Sequence, residues 1–177
     1  MSPTALDVTR AEVDRRGCAR IELVVGDVHA LDFPDDTFDV VHAHQVLQHV
    51  ADPVGALREM LRVCRPDQAS EARAPGLVAA RDADYAGFTW YPELPGPTRW
   101  RELYSAAARA NGGEPDAGRR LLGWAHVAGA RVVTASSSTW CYADPVSRQA
   151  WGAMVGRADH RVRGGRADRR LGSGLTR

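Results

Sequence analysis

Short apolar runs alternate with helical patterns along most of the chain. β-Branched and small apolar residues predict strands at Ile21–Val25, Phe38–His42, Gly76–Arg81 and Arg131–Thr139. Helical patterns run from Asp52 to Cys64, from Arg99 to Ala110, from Gly118 to Val127, and from Asp144 to Val155. Strands that alternate with helices are typical of an α/β fold with a mainly parallel sheet.

The predicted helix after Asp52 has the clearest signals. Asp52 is suited to the N-cap and Pro53 to the first helical position. Its apolar residues recur three and four positions apart, which predicts one buried face formed by Val54, Leu57, Leu61 and Cys64. Leu47 and Val50 precede it in a shorter turn.

Polar residues follow two of the predicted strands. Asp27 comes directly after Ile21–Val25, and the end of Phe38–His42 delivers His42, His44 and Gln45. Ligands of open α/β sheets bind beyond the carboxyl ends of the strands, so these residues predict one ligand crevice. The alternative for Asp27 is that it caps a turn, as Gly-Asp pairs commonly do.

The run from Gly26 to Pro66 resembles the class I S-adenosylmethionine-dependent methyltransferases, and it is closest to the small-molecule branch that includes ubiquinone/menaquinone-type enzymes. The similarity extends from about Ile21 to Asp144. It implies a Rossmann-like sheet with helices on both faces and S-adenosyl-L-methionine as cofactor. In this family Asp27 would accept a hydrogen bond from the adenine amino group beside Val28, and His44 and Gln45 would line the methyl side.

One family feature has no counterpart before Asp27. The glycine-rich loop that holds the methionine end of the cofactor needs several closely spaced glycines, and only Gly17 and Gly26 precede Asp27. We therefore expect an N-terminally truncated domain that lacks the first strand and helix. If Ala5–Val8 ends the second strand, Asp7 matches the ribose-binding acid, and the alternative is a solvated Asp7.

The resemblance predicts methyl transfer to a small molecule, impaired if the glycine loop is lost. The alternative is a non-catalytic remnant with little cofactor affinity. Tyr85, Trp90 and Tyr91 lie in an aromatic-rich connection that is either a lid over the substrate or core packing. His44 and His49 are candidate general bases, or are simply hydrogen-bonded at a strand end. We expect no metal site, because no recognised ligand spacing surrounds these histidines.

Composition adds two expectations. The three cysteines lack paired spacing, no secretory pattern opens the chain, and no apolar run is long enough to span a membrane, which favours a cytoplasmic protein. Residues 156–177 hold seven Arg and two Asp and few large apolar residues. We expect residues 1–155 to form the partial methyltransferase domain and the tail to be disordered rather than a nucleic-acid-binding arm, because no aromatic residue is interleaved for base stacking.

Overall fold

The computed structural model describes residues 3–66 and 75–153. They fall into two compact units. One comprises the residues up to His42 together with Val54–Ala79, and the other comprises Ala43–Pro53 and the residues from Ala80 onward. The tail predicted for residues 156–177 lies outside the described residues.

Helices alternate with two short strands along the chain. In order, the elements are α1 (Pro3–Arg15), β1 (Val40–His44), a 3₁₀ helix (Leu47–His49), α2 (Pro53–Val63), β2 (Leu77–Arg81), a 3₁₀ turn (Tyr85–Gly87), α3 (Pro95–Ala110), a 3₁₀ helix (Ala117–Arg120) and α4 (Leu121–Ala128). Residues 145–153 are also helical. Within the described ranges, none of the helices is both long and apolar enough to cross a membrane.

β1 and β2 pair with each other in a parallel sheet. The Leu77 N–H donates to the Asp39 carbonyl at 3.0 Å, and the Gln45 N–H donates to the Arg81 carbonyl at 2.7 Å. Because one bond joins the strand starts and the other joins the strand ends, both strands run in the same direction. Both predicted strands and the mixed α/β character are confirmed, although β1 begins and ends two residues later than predicted.

α2 supplies most of the first unit's buried side chains. The helix begins at Pro53, as predicted, and its buried residues are Ala56, Leu57, Met60 and Val63. The predicted face is therefore partly wrong, because Val54 and Leu61 are only half-buried. Adjacent positions on a helix are about 100° apart, so the buried stripe that includes Ala56, Met60 and Val63 is rotated around the helix axis relative to the predicted face.

A charged pair on α2 fastens the preceding loop. Arg62 donates to the carbonyl oxygens of Phe33 and Leu31 at 2.9 and 3.1 Å, and Glu59 accepts the Leu31 N–H at 2.8 Å. The Arg62 guanidinium lowers the pKa of Glu59 to about 2, so the carboxylate is ionised at neutral pH. The pair holds the loop that follows Asp27 against α2.

Two predicted strands in the first unit are wrong. Ile21–Val25 is irregular, and Ile21, Val24 and Val25 are between 52% and 61% exposed. A strand needs a neighbour for its backbone groups, and among the described residues β1 and β2 pair only with each other. Ala5–Val8 lies within α1, where ion pairs of Glu12 with Arg15 and Arg16 at helical spacing stabilise the helix.

Beyond β2, the predicted helices are present near their predicted positions, whereas the predicted last strand is not formed. α3 begins at Pro95, four residues earlier than predicted, and α4 begins at Leu121, after a 3₁₀ turn. The Asp144 carboxylate accepts the N–H groups of Val146 and Ser147 at 3.0 and 2.9 Å and so caps the last helix at the residue where its pattern was predicted to begin. The strand predicted at 131–139 is wrong, because this segment is irregular and mostly exposed.

Candidate functional site

Two strand ends in the second unit are tied together by polar contacts. Gln45 follows β1 with φ of 54°, a conformation that non-glycine residues seldom adopt, and its N–H donates to the Arg81 carbonyl. The Asp82 carboxylate, directly after β2, accepts the N–H groups of Leu47 and Gln48, each at 3.3 Å. Asp82 therefore fixes the turn that carries Gln45.

Asp82 is a half-buried carboxylate, and burial raises the pKa of this group above its usual range. The two backbone hydrogen bonds oppose that rise in pKa, and so do the charges of His49 and His44 when these residues are protonated. Both candidate bases therefore lie within electrostatic range of one acid. Sequence reasoning missed Asp82 as a site residue, although its position after a predicted strand was an available signal.

The 3₁₀ helix at Leu47–His49 is tightly packed on its inner side. Leu47 is fully buried and Gln48 is 2% exposed. The Gln48 carbonyl accepts the Glu114 N–H at 2.9 Å, and a Cβ at Gly113 would lie 2.5 Å from that carbonyl oxygen. The turn after β1 is thus held on one side by Asp82 and on the other by the backbone at residues 113 and 114.

Aromatic rings pack beside the end of β2. The Tyr85 ring stacks on Tyr104 with 4.3 Å between centroids, and it lies 4.8 Å from Phe88 and 6.0 Å from Trp100. Burial raises the pKa of Tyr85, and a hydrogen bond with Tyr104 raises it further by a smaller amount. This packing is what the core alternative predicted for Tyr85, and any substrate contact of Tyr85 stays a prediction.

The other two predicted substrate residues differ from Tyr85. The Trp90 indole N–H donates to the Thr98 hydroxyl at 3.3 Å, and the Arg101 guanidinium lies 5.2 Å from the Trp90 ring centroid. Tyr91 is 99% exposed. An open depression of about 380 Å³ adjoins Thr98 and is lined by Leu94 and Pro95 among other residues. The aromatic connection therefore includes both packed and freely accessible rings.

Asp27 and Val28 belong to the first unit, whereas His44 and Gln45 belong to the second. Asp27 Oδ1 accepts the backbone N–H of His29 at 2.9 Å and lies 2.9 Å from His29 Nδ1. These contacts, the backbone bond foremost, lower the pKa of Asp27. Asp27 therefore caps a turn, as the alternative predicted, and its contact with a cofactor stays a prediction. Sequence reasoning missed His29 as its partner.

The Asp27 side chain is also accessible to a ligand. It is 67% exposed, and Oδ2 has no hydrogen bond with any residue that the structure describes. An ionised carboxylate with one open oxygen can accept a hydrogen bond from an amino group. Over the same described ranges, no three His, Cys, Asp or Glu side chains are grouped closely enough to hold a metal ion.

Comparison with known proteins shows similarity to methyltransferases. Residues 1–69 match the methyltransferase domain family model. The chain is 40% identical over 129 residues to an uncharacterised methyltransferase of Schizosaccharomyces pombe, covering 71% of this chain and 42% of that protein. It is 36% identical over 92 residues to the demethylmenaquinone methyltransferase of Anoxybacillus flavithermus, covering 50% of this chain and 39% of that enzyme.

A demethylmenaquinone methyltransferase of Listeria welshimeri is also similar, with 32% identity over 108 residues, which cover 61% of this chain and 39% of that enzyme. The chain thus spans about two fifths of the length of these three relatives. The family model includes Asp27, Val28 and the whole of α2. The family model and these relatives support assignment of the matched residues to the class I S-adenosylmethionine-dependent methyltransferases.

Proposed function

We propose that this chain binds S-adenosyl-L-methionine and takes part in methyl transfer to a small-molecule acceptor. The observation that carries the proposal is the match of residues 1–69 to the methyltransferase domain family. That segment contains the turn at Asp27 and β1, whose end leads to His44 and Gln45.

The open Oδ2 of Asp27 fits the adenine end of this cofactor. An adenine amino group donates hydrogen bonds, and Asp27 is an ionised acceptor whose Oδ2 is bonded to none of the residues that the structure describes. Val28, half-buried beside it, would contact the ring. Asp7, the predicted ribose-binding residue, is an exposed residue of α1 and could reach a hydroxyl only from that helix.

When bound, the cofactor supplies a methyl group on a sulfonium. His44 and Gln45 would line the methyl side. The hydrogen bonds that Asp82 accepts from Leu47 and Gln48 would hold the turn after β1 rigid. If the acceptor must lose a proton, either His44 or His49 could take it, since a neutral imidazole accepts a proton near neutral pH.

A second candidate is a methyltransferase-like domain with little cofactor affinity and no turnover. The exposed apolar side chains of Ile21, Val24 and Val25 favour it, because the segment that leads into Asp27 is not held in a sheet within the described residues. An adenine contact on an irregular segment must also offset the entropy of ordering that segment.

Calorimetric titration with S-adenosylhomocysteine separates the two candidates. The proposal predicts saturable binding by the full chain that weakens by about tenfold or more in Asp27→Ala, as expected when one charge-assisted hydrogen bond is lost. Asp14→Ala is the charge-matched control, because Asp14 is exposed on α1. Asp7→Ala tests the ribose contact against the same control.

Absence of heat at millimolar ligand would favour the non-catalytic domain. Binding that is equal in Asp27→Ala and Asp14→Ala would refute the adenine contact while leaving cofactor binding intact. A circular dichroism spectrum of each variant establishes that the fold is retained.

A further inference from the structure

Arg81 occupies a distinctive position at the end of β2. Its backbone carbonyl accepts the Gln45 N–H, so the residue lies at the edge where the two strands end. Its exposed guanidinium donates through Nη2 to the Ser138 hydroxyl at 3.3 Å, and the Cζ atom lies 5.0 Å from the Trp140 ring centroid. Both contacts hold the guanidinium without neutralising it, since neither partner is charged.

Most of the other well-contacted arginines have a carboxylate. Arg62, Arg65, Arg109 and Arg119 each form an ion pair with Asp or Glu. Within residues 3–66 and 75–153, Arg81 has no such pair. The adjacent Asp82 does not form an ion pair with Arg81, and its carboxylate instead accepts the N–H groups of Leu47 and Gln48. A positive charge therefore remains uncompensated at the strand edge.

We propose that Arg81 binds a carboxylate group of the methyl acceptor, which makes the acceptor a small organic acid. This inference rests on the proposed function and names the substrate class of the same strand edge. A guanidinium has five N–H donors in a planar fork, and the Ser138 contact uses one of them, which leaves enough for a two-point contact with a carboxylate.

Trp140 and Ser138 prepare this guanidinium for binding. Stacking on the Trp140 ring limits its rotation, so less entropy is lost when a ligand arrives. Trp140 is itself 59% exposed and offers apolar surface beside the charge. A carboxylate on a planar apolar body would contact both groups, and benzoate is the simplest probe with this chemistry.

The test follows the Trp140 indole N–H signal in nitrogen–proton correlation spectra of the full chain, with the signal assigned from Trp140→Phe. Benzoate is titrated beside benzamide, which has the same shape without the charge. The variants are Arg81→Gln and Arg81→Lys, and the control is Arg148→Gln. Arg148 is an exposed arginine whose loss changes the net charge by the same amount.

We expect saturable benzoate binding in the millimolar range or tighter, and benzamide binding weaker by about tenfold or more. Arg81→Gln should weaken benzoate binding by a similar factor, Arg81→Lys should restore it only in part, and Arg148→Gln should leave it unchanged. Equal binding of benzoate and benzamide, an unaffected Arg81→Gln variant, or no saturable benzoate binding would each overturn the proposal.

Titration of the same samples with S-adenosylhomocysteine keeps the two proposals apart. Wild type and Arg81→Gln should bind it equally, because Arg81 is assigned to the acceptor. If benzoate binds through Arg81 and S-adenosylhomocysteine does not bind at all, the carboxylate site stands and the methyltransferase proposal fails. If S-adenosylhomocysteine binds and benzoate does not, only the assignment of Arg81 fails.

Discussion

Replacement of Asp82 by alanine should loosen the turn that follows β1. The carboxylate is the acceptor for the N–H groups of Leu47 and Gln48, which belong to residues that are fully and 98% buried. Water cannot readily replace the lost acceptor at such positions. The substitution therefore leaves two buried donors without a partner, which is among the more costly local defects in a folded chain.

The magnitude follows from the geometry of these bonds. An unsatisfied buried donor costs about 1–3 kcal/mol. Both bonds are long at 3.3 Å, and burial of the Asp82 charge already offsets part of their benefit, so the lower end of that range applies to each. We expect Asp82→Ala to lower the free energy of unfolding by about 2 kcal/mol. Asp82→Asn retains one acceptor oxygen and should cost about half as much.

The effect should also depend on pH. Because burial raises the pKa of Asp82 above its usual value of 3.8, the folded chain favours the protonated acid more than the unfolded chain does. The resulting stabilisation is complete below pH 3.8 and is lost as the pH rises through the raised pKa. Wild type should therefore lose stability relative to Asp82→Asn between acidic and neutral pH.

Urea unfolding followed by circular dichroism at several pH values between 3.5 and 7 measures both effects. The reasoning is refuted if Asp82→Ala unfolds at the wild-type urea concentration. It is also refuted if Asp82→Ala and Asp82→Asn are equally destabilised, or if the gap between wild type and Asp82→Asn is constant with pH.

Two further predictions concern packing and charge. Gly113→Ala should destabilise the fold by about 1–3 kcal/mol, because its Cβ would lie 2.5 Å from the Gln48 carbonyl oxygen. The control is Gly123→Ala in α4, where the new Cβ would meet no described atom within 4 Å other than its chain neighbours and its own helix backbone. It should raise the free energy of unfolding by up to about 1 kcal/mol, and equal urea midpoints for the two variants would contradict this. Arg62 lowers the pKa of Glu59 from 4.5 to about 2, so wild type should lose stability as the pH falls through that interval, and Glu59→Gln should lose less. Parallel curves of unfolding free energy against pH for the two proteins would disprove the contribution of Glu59 to stability.

Much of the framework around the candidate site could be predicted because its signals are local. The Asp52-Pro53 start of α2 and the positions of β1 and β2 follow from short stretches of sequence. The rule that ligands bind at strand ends points to Gln45 and His44 from the sequence alone. The partner of Asp82 could not be found in this way, because the N–H groups that it accepts come from residues 34 and 35 positions earlier.

The sequence by itself indicated the helices after β1 and the resemblance to methyltransferases, since helical hydrogen bonds join residues four apart and the matching pattern lies in one continuous stretch, residues 1–69. It missed α1, which replaces a predicted strand end. Tertiary structure decided which apolar runs became strands. Ile21–Val25 and residues 131–139 have strong β propensity, yet both are irregular, whereas Val40–His44 and Leu77–Arg81 pair with each other. The physical reason is that a strand is completed only by a distant neighbour, and no local pattern records whether that neighbour is in place.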